Sequence, residues 1–128
     1  MITISQLRKE FVVADGNVVA LDNLSIDVEP GEFFVIIGAS GSGKTTLLRA
    51  VAGLERPDSG SVKVADRTVF SDKPAVWVPP QDRGFGMVFQ SYAVWPHMTV
   101  YENVALPLTE GAQKIPRSDV RARVEQAL

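Results

Sequence analysis

The sequence predicts an α/β fold, and three observations predict it. A glycine- and hydroxyl-rich octapeptide, Gly38 to Thr45, separates a run of apolar, β-branched and aromatic residues from a stretch with helical spacing. Ahead of it, apolar and polar residues alternate, and beyond it a second apolar run, Gly84 to Phe89, repeats the composition of a buried strand. Alternation marks strands with one solvated face, whereas unbroken apolar runs mark strands covered on both faces.

Taken in order, Ile2 and Ile4 begin an alternating pattern, and Leu24, Ile26 and Val28 continue one between Ser25, Asp27 and Glu29. These are half-buried strands of an antiparallel layer that precedes the octapeptide. Pro30-Gly31 turns the chain into Phe33-Phe34-Val35-Ile36-Ile37, predicted as a central strand buried on both faces. A helix is predicted from about Gly43 to about Leu54, because Leu47, Leu48, Val51 and Leu54 recur at helical spacing and Pro57 and Gly60 stop it. Ser61 to Ala65 and Thr68 to Phe70 read as a hairpin turning at Asp66-Arg67. Pro79-Pro80 breaks the chain before the second buried run, which ends at Gln90.

Two helices close the sequence. Thr99-x-x-Glu102 is a capping-box pattern for a short helix that Pro107 is predicted to end. The last helix begins near Ser118, with Val120, Val124 and Leu128 along one face and Asp119/Arg123 and Arg121/Glu125 as exposed pairs.

The octapeptide Gly38-Ala39-Ser40-Gly41-Ser42-Gly43-Lys44-Thr45 carries the spacing G-x-x-x-x-G-K-[ST]. Gly38, Gly41 and Gly43 lack Cβ, so the backbone is free to take positive φ and turn N–H groups toward an anion. The first turn of the following helix points its unsatisfied N–H groups, and the positive end of its dipole, into the same space. Lys44 is predicted to reach the β- and γ-phosphates of a nucleotide, Thr45 to ligate Mg²⁺, and Thr46 to offer another hydroxyl. The competing reading is a Gly/Ser-rich turn with a solvated lysine, which the flanking strand and helix patterns disfavour.

Composition narrows the field. The 128 residues suit one domain, and thirteen basic against fifteen acidic residues give a net charge of −2 without a basic run, so no nucleic-acid footprint is predicted. There is no cysteine, hence no disulfide or thiolate metal site. No apolar stretch approaches the ~20 residues of a membrane span, and no signal-peptide pattern opens the chain, so a cytoplasmic location is expected.

With the loop placed, the chain resembles the nucleotide-binding subunit of ABC transporters, the import ATPases of bacteria in particular. The resemblance rests on Gly38 through Arg49, on Ala52-Gly53-Leu54-Glu55-Arg56-Pro57-Asp58-Ser59-Gly60, and on Gly86-Met87-Val88-Phe89-Gln90 running into Ser91 through Val104. It implies a P-loop NTPase core with an N-terminal antiparallel β layer, incomplete and truncated at the start of the helical subdomain. Residues 1–30 would be the β layer, 31–90 the core carrying the Walker A loop, and 91–128 the start of the helical subdomain. It implies ATP and Mg²⁺ as ligands, with Gln90 as the Q-loop glutamine that completes the Mg²⁺ shell and approaches the attacking water.

The same resemblance offers Phe11 as the adenine-stacking aromatic, although Val12 to Asp15 look like an insertion between it and Gly16; an aromatic packed at a sheet edge is the alternative. Tyr92, Trp95, Pro96 and Met98 would help dock transmembrane permease subunits, with burial under the chain's own helices as the alternative. A second nucleotide-binding subunit would complete the dimer, peripheral at the inner face of the plasma membrane. The run around Trp95 leans toward the ferric-iron and polyamine importer branch. His97 reads as structural rather than as the family's switch histidine.

One absence shapes the expectation. No apolar strand ends in Asp-Glu, and no serine-glycine signature occurs; Val69-Phe70-Ser71-Asp72 is too short and reads as a hairpin end. Hydrolysis therefore belongs to a longer parent ATPase, and this chain is predicted inactive alone. A non-catalytic nucleotide-binding module is the alternative function, and another P-loop NTPase, such as a small kinase or GTPase, is the third.

Overall fold

A computed structural model describes residues 1–14, 16–91, 93–111 and 114–128. The chain divides into two compact units, Met1–Phe85 and Gly86–Leu128.

The first unit is built on strands β1 (Ile2–Val13), β2 (Gly16–Val28), β3 (Ser59–Val64), β4 (Arg67–Ser71) and β5 (Val76–Trp77), with helix α1 (Lys44–Ala52) between β2 and β3. All pairings are antiparallel and the sheet order is β2-β1-β3-β4-β5. The antiparallel layer ahead of the glycine loop is thus present, and longer than the alternation alone showed. Val12 and Val13 extend β1, pairing with Asn17 and Gly16.

Ile4, Leu7, Leu21, Val62 and Phe70 share a single core, Ile4 and Leu7 together because an irregularity in β1 between them, with Gln6 at φ 48°, breaks the two-residue period, and Leu47 and Ala50 of α1 complete it. Leu7 and Val62 are fully buried. Phe70 meets Trp77 edge-on, ring centroids 6.3 Å apart. The β3–β4 hairpin turns at Ala65-Asp66, one residue earlier than predicted, because Val64 pairs with Arg67 and Ala65 takes φ 50°. Asp72, at the end of β4, accepts a hydrogen bond from the Gly60 N–H at 3.0 Å, which closes that hairpin.

Two predictions of buried strands are corrected. Phe33 to Ile37 joins no sheet; Phe33 is 92% and Ile37 90% exposed, and only Ile36 packs against the core. Gly84 to Phe89 likewise forms no strand, and Val88 is 98% exposed. Apolar composition states a demand for cover, but a strand also needs a hydrogen-bonding neighbour, and among the described residues neither run has one.

α1 begins and ends on glycines in the left-handed region, Gly43 at φ 86° and Gly53 at φ 84°. It stops at Ala52 rather than Leu54 because the Gly53 and Leu54 N–H groups turn back to the carbonyls of Ala50 and Arg49. Leu47 is buried, while Leu48 and Leu54 are exposed.

The second unit pairs α2 (Val100–Thr109) with α3 (Arg117–Ala127) around Ala105, Val120 and Val124, with Val104, Leu108 and Ile115 packed alongside. The capping box forms as predicted: Thr99 Oγ1 accepts from the Glu102 N–H at 3.2 Å, and Glu102 accepts from the Thr99 N–H at 2.7 Å. Pro107 does not end α2, which runs two residues further. It sits in the last turn, where the Glu110 and Gly111 N–H groups still reach the carbonyls of Leu106 and Pro107. In α3, Arg121 and Glu125 pair at 2.8 Å. The predicted Asp119/Arg123 pair is replaced by Asp119 with Ser118 and Arg123 with Gln126, and Leu128 is exposed.

Candidate functional site

The glycine loop is anchored from below by β2. Gly43 lies so close to this strand that a Cβ would run into the Ala20 carbonyl and touch Leu21. Its left-handed backbone then launches α1, whose first intrahelical bond runs from the Leu47 N–H to the Gly43 carbonyl at 2.9 Å. The donors of Lys44, Thr45 and Thr46 therefore lie in the turn that a helix leaves open, and Gly43 has no side chain to cap it.

Gly41 takes φ 80°, as positive-φ turning requires. Gly38 does not adopt positive φ, which corrects the reading that all three loop glycines are needed for it. Space is the reason for a glycine there, because a Cβ would stand 2.7 Å from Ser42 Oγ. Lys44 draws the loop into a ring: its ammonium donates to the carbonyls of Gly38 at 2.8 Å and Ala39 at 2.6 Å, and to Ser42 Oγ at 3.2 Å. Ser40 and Thr45 are exposed and Thr46 is half-buried.

These donors fit a phosphate. Open N–H groups of a helix start, a three-donor ammonium and two left-handed glycines converge, and no carboxylate occurs from Gly38 to Thr46.

Phe11 pairs with Val18, two residues before the Ala20 that supports Gly43. Lys9, on the same face of β1, places its ammonium 5.1 Å from the Phe11 ring centroid. That ammonium is itself held by Glu55 at 3.2 Å, Asp58 at 3.4 Å and the Arg56 carbonyl at 3.0 Å.

Gln90 belongs to the other unit, where it is exposed; Thr45 and Gln90, the two predicted metal ligands, thus fall in different units. Among the described residues no three His, Cys, Asp or Glu side chains gather as a metal site. Tyr92 lies outside the described residues. Trp95 is exposed and Met98 half-buried, and Trp95 packs against His97 at 5.8 Å between ring centroids. Asn103 clamps this loop, accepting from the Trp95 N–H at 2.7 Å and donating to the carbonyls of Trp95, Met98 and Thr99. The Thr99 N–H, then the Thr99 hydroxyl, hold the Glu102 carboxylate below its ordinary pKa.

Three residues escaped sequence reasoning. Lys9 was legible in principle, since positions two apart share a strand face. Asn103 carried no motif of its own, and Arg83, buried beside the end of α1, carried no signal beyond a charge between apolar segments.

A glycine loop with this spacing that opens directly into a helix is the phosphate-binding element of P-loop proteins. The chain belongs to the ABC transporter family, whose profile matches residues 21–128. It is 47% identical over 111 residues to the trehalose/maltose import ATP-binding protein MalK of Thermococcus litoralis, covering 87% of this chain and 29% of that protein. It is 48% identical over 115 residues to the glucose import ATP-binding protein GlcV of Saccharolobus solfataricus, covering 90% and 32%. The spermidine/putrescine import ATP-binding protein PotA of Nitrosospira multiformis is 48% identical over 113 residues, covering 88% and 29%. A solved dimeric structure of the ATP-binding cassette MJ0796 in a post-hydrolysis state with ADP and Pi superposes with a TM-score of 0.81 at 28% identity, covering 98% of this chain and 55% of that one. This chain spans about a third of the length of these curated relatives. Among the described residues no helix is long and apolar enough to cross a membrane.

Proposed function

We propose that this chain is the ATP-binding part of an import ATPase, with the nucleotide held by residues Gly38 to Thr46. The observation that carries the reading is the ring closed by Lys44 over an open helix start. The ammonium that now satisfies two loop carbonyls can exchange them for phosphate oxygens, so that its charged donors meet anionic acceptors in place of neutral ones. Thr45, by its hydroxyl, and Gln90, by its amide oxygen, are each candidates to hold Mg²⁺, which would neutralise charge on the terminal phosphates. Phe11 is the candidate for the adenine base, since the strand pairing keeps it near the residues that support Gly43.

The core supplies nucleotide binding, and the sequence contains no strand ending in Asp-Glu to polarise water. Binding without turnover is therefore the activity proposed for these residues, and hydrolysis coupled to uptake is proposed for a parent protein of its relatives' length. That parent would work as a dimer with transmembrane permease subunits at the inner membrane face, and the loop carrying Trp95 and Met98 would form part of the contact. Residues 91–128 would open its helical subdomain. The relatives' names cover sugars and polyamines alike, so the solute is left open.

Calorimetric titration of Mg-ATP into the chain tests the reading. Lys44→Ala is expected to weaken binding about 10- to 100-fold, the equivalent of about 1.5–3 kcal/mol for a charge-assisted bond. Phe11→Ala is expected to cost about 1–3 kcal/mol if the base stacks there. Unchanged affinity in Lys44→Ala would refute the loop assignment, and Lys44-dependent phosphate release by the chain would refute binding without turnover.

A further inference from the structure

Arg83 is the one buried charged residue among the described core positions, 5% exposed, and no carboxylate of the described residues pairs with it. Its Nη1 donates to the carbonyls of Ala50 and Val51, the last turn of α1, at 2.9 Å each. Its Nε donates to the Val78 carbonyl at 2.7 Å, and its guanidinium lies 4.7 Å from the Trp77 ring centroid. Gly53 makes this approach possible, because a Cβ there would stand 2.5 Å from Nε. Nη2 is buried with no acceptor among the described residues, a donor held in reserve. Burial lowers the Arg83 pKa, but a guanidinium stays charged throughout the usual pH range.

We propose that Arg83 is a positioning residue that couples the nucleotide loop to the segment running on to Gln90. The inference rests on the reading of Gly38 to Thr46 as an ATP site. α1 is a rod of nine residues, ~13 Å long, with the loop at its positive end and Arg83 at its negative end. Phosphate at the first end tilts or tightens the rod; the same rod's carbonyls at the other end are bonded to the side chain that also holds Val78. A displacement of α1 therefore reaches the backbone around residue 83 through three hydrogen bonds, with Nη2 free to engage a carbonyl that the shift brings in.

Hydrogen exchange of the chain with and without Mg-ATP, alongside calorimetry, tests this. In the wild-type chain ATP is expected to slow exchange about fivefold or more in peptides covering both Gly38–Thr46 and Gly84–Gln90. In Arg83→Met, ATP affinity and protection of Gly38–Thr46 should persist while the ATP-linked protection of Gly84–Gln90 disappears; Arg83→Lys should restore part of it. A residue that only stabilises the core would raise exchange with and without ATP alike, leaving the ATP-linked difference intact, and that result overturns the proposal. Should Arg83→Met not fold, undiminished protection in Arg83→Lys overturns it and diminished protection supports it. Absence of ATP binding in the wild-type chain would defeat the loop assignment and this coupling together, whereas binding without protection at Gly84–Gln90 would defeat the coupling alone.

Discussion

Gly41 and Gly43 both adopt the left-handed backbone, yet they meet different surroundings. A Cβ on Gly41 would enter open space, and one on Gly43 would collide with the Ala20 carbonyl. Alanine at either position costs about 1–2 kcal/mol in backbone strain, and at Gly43 a steric term adds to it. Gly43→Ala is therefore expected to lower the thermal midpoint clearly more than Gly41→Ala; equal losses would show that the seat of Gly43 on β2 is not tight. At this scale the motif was legible residue by residue, because G-x-x-x-x-G-K-[ST] is a local pattern. Gly38 was legible as a glycine but not for the right reason, since its neighbour Ser42 Oγ is set by how the loop closes.

Among elements, α2 shows how a local signal decides a boundary. The Thr99 and Glu102 side chains satisfy donors at the helix start reciprocally, and the same bonds depress the Glu102 pKa. Thr99→Ala is expected to cost about 1 kcal/mol of stability in the helical pair, measured by chemical denaturation. Because the folded-state pKa of Glu102 lies below its unfolded value, its contribution is present above the ordinary carboxylate range. It is lost as pH falls through the depressed value. Wild type should thus lose more stability than Glu102→Gln on acidification from about pH 6 to about pH 3, and parallel losses would contradict the ion-assisted cap. Pro107 marks the limit of such signals: a proline in the final turn costs one bond, while the Glu110 and Gly111 N–H groups still reach the carbonyls of Leu106 and Pro107, so the helix passes through it.

For the molecule as a whole, the dominant feature is uncovered apolar backbone. Phe33 to Ile37 lies beside an apolar cavity of about 340 Å³, lined in part by Phe34, Ile36, Leu47, Leu48 and Val51, and Val88 is almost fully exposed. Unpaired apolar segments are templates for association. The isolated chain is expected to self-associate with rising concentration in light-scattering chromatography, and a monodisperse monomer that unfolds cooperatively would count against this. Sequence composition identified both runs as apolar and in need of cover. It placed them in paired strands, which the described residues do not provide.

The sequence by itself determined the glycine loop and its place before a helix, the capping box, the antiparallel character of the first layer and the family to which the chain belongs. Each depends on residues within a few positions of one another, whose backbone angles and orphan donors obey local rules. Tertiary structure decided what those rules leave open. It set Lys9 over Phe11, closed the loop through Lys44, and buried Arg83 against the end of α1. Such contacts join residues up to 33 positions apart. No periodicity records the Arg83 contacts, because they arise only once the elements around them have packed.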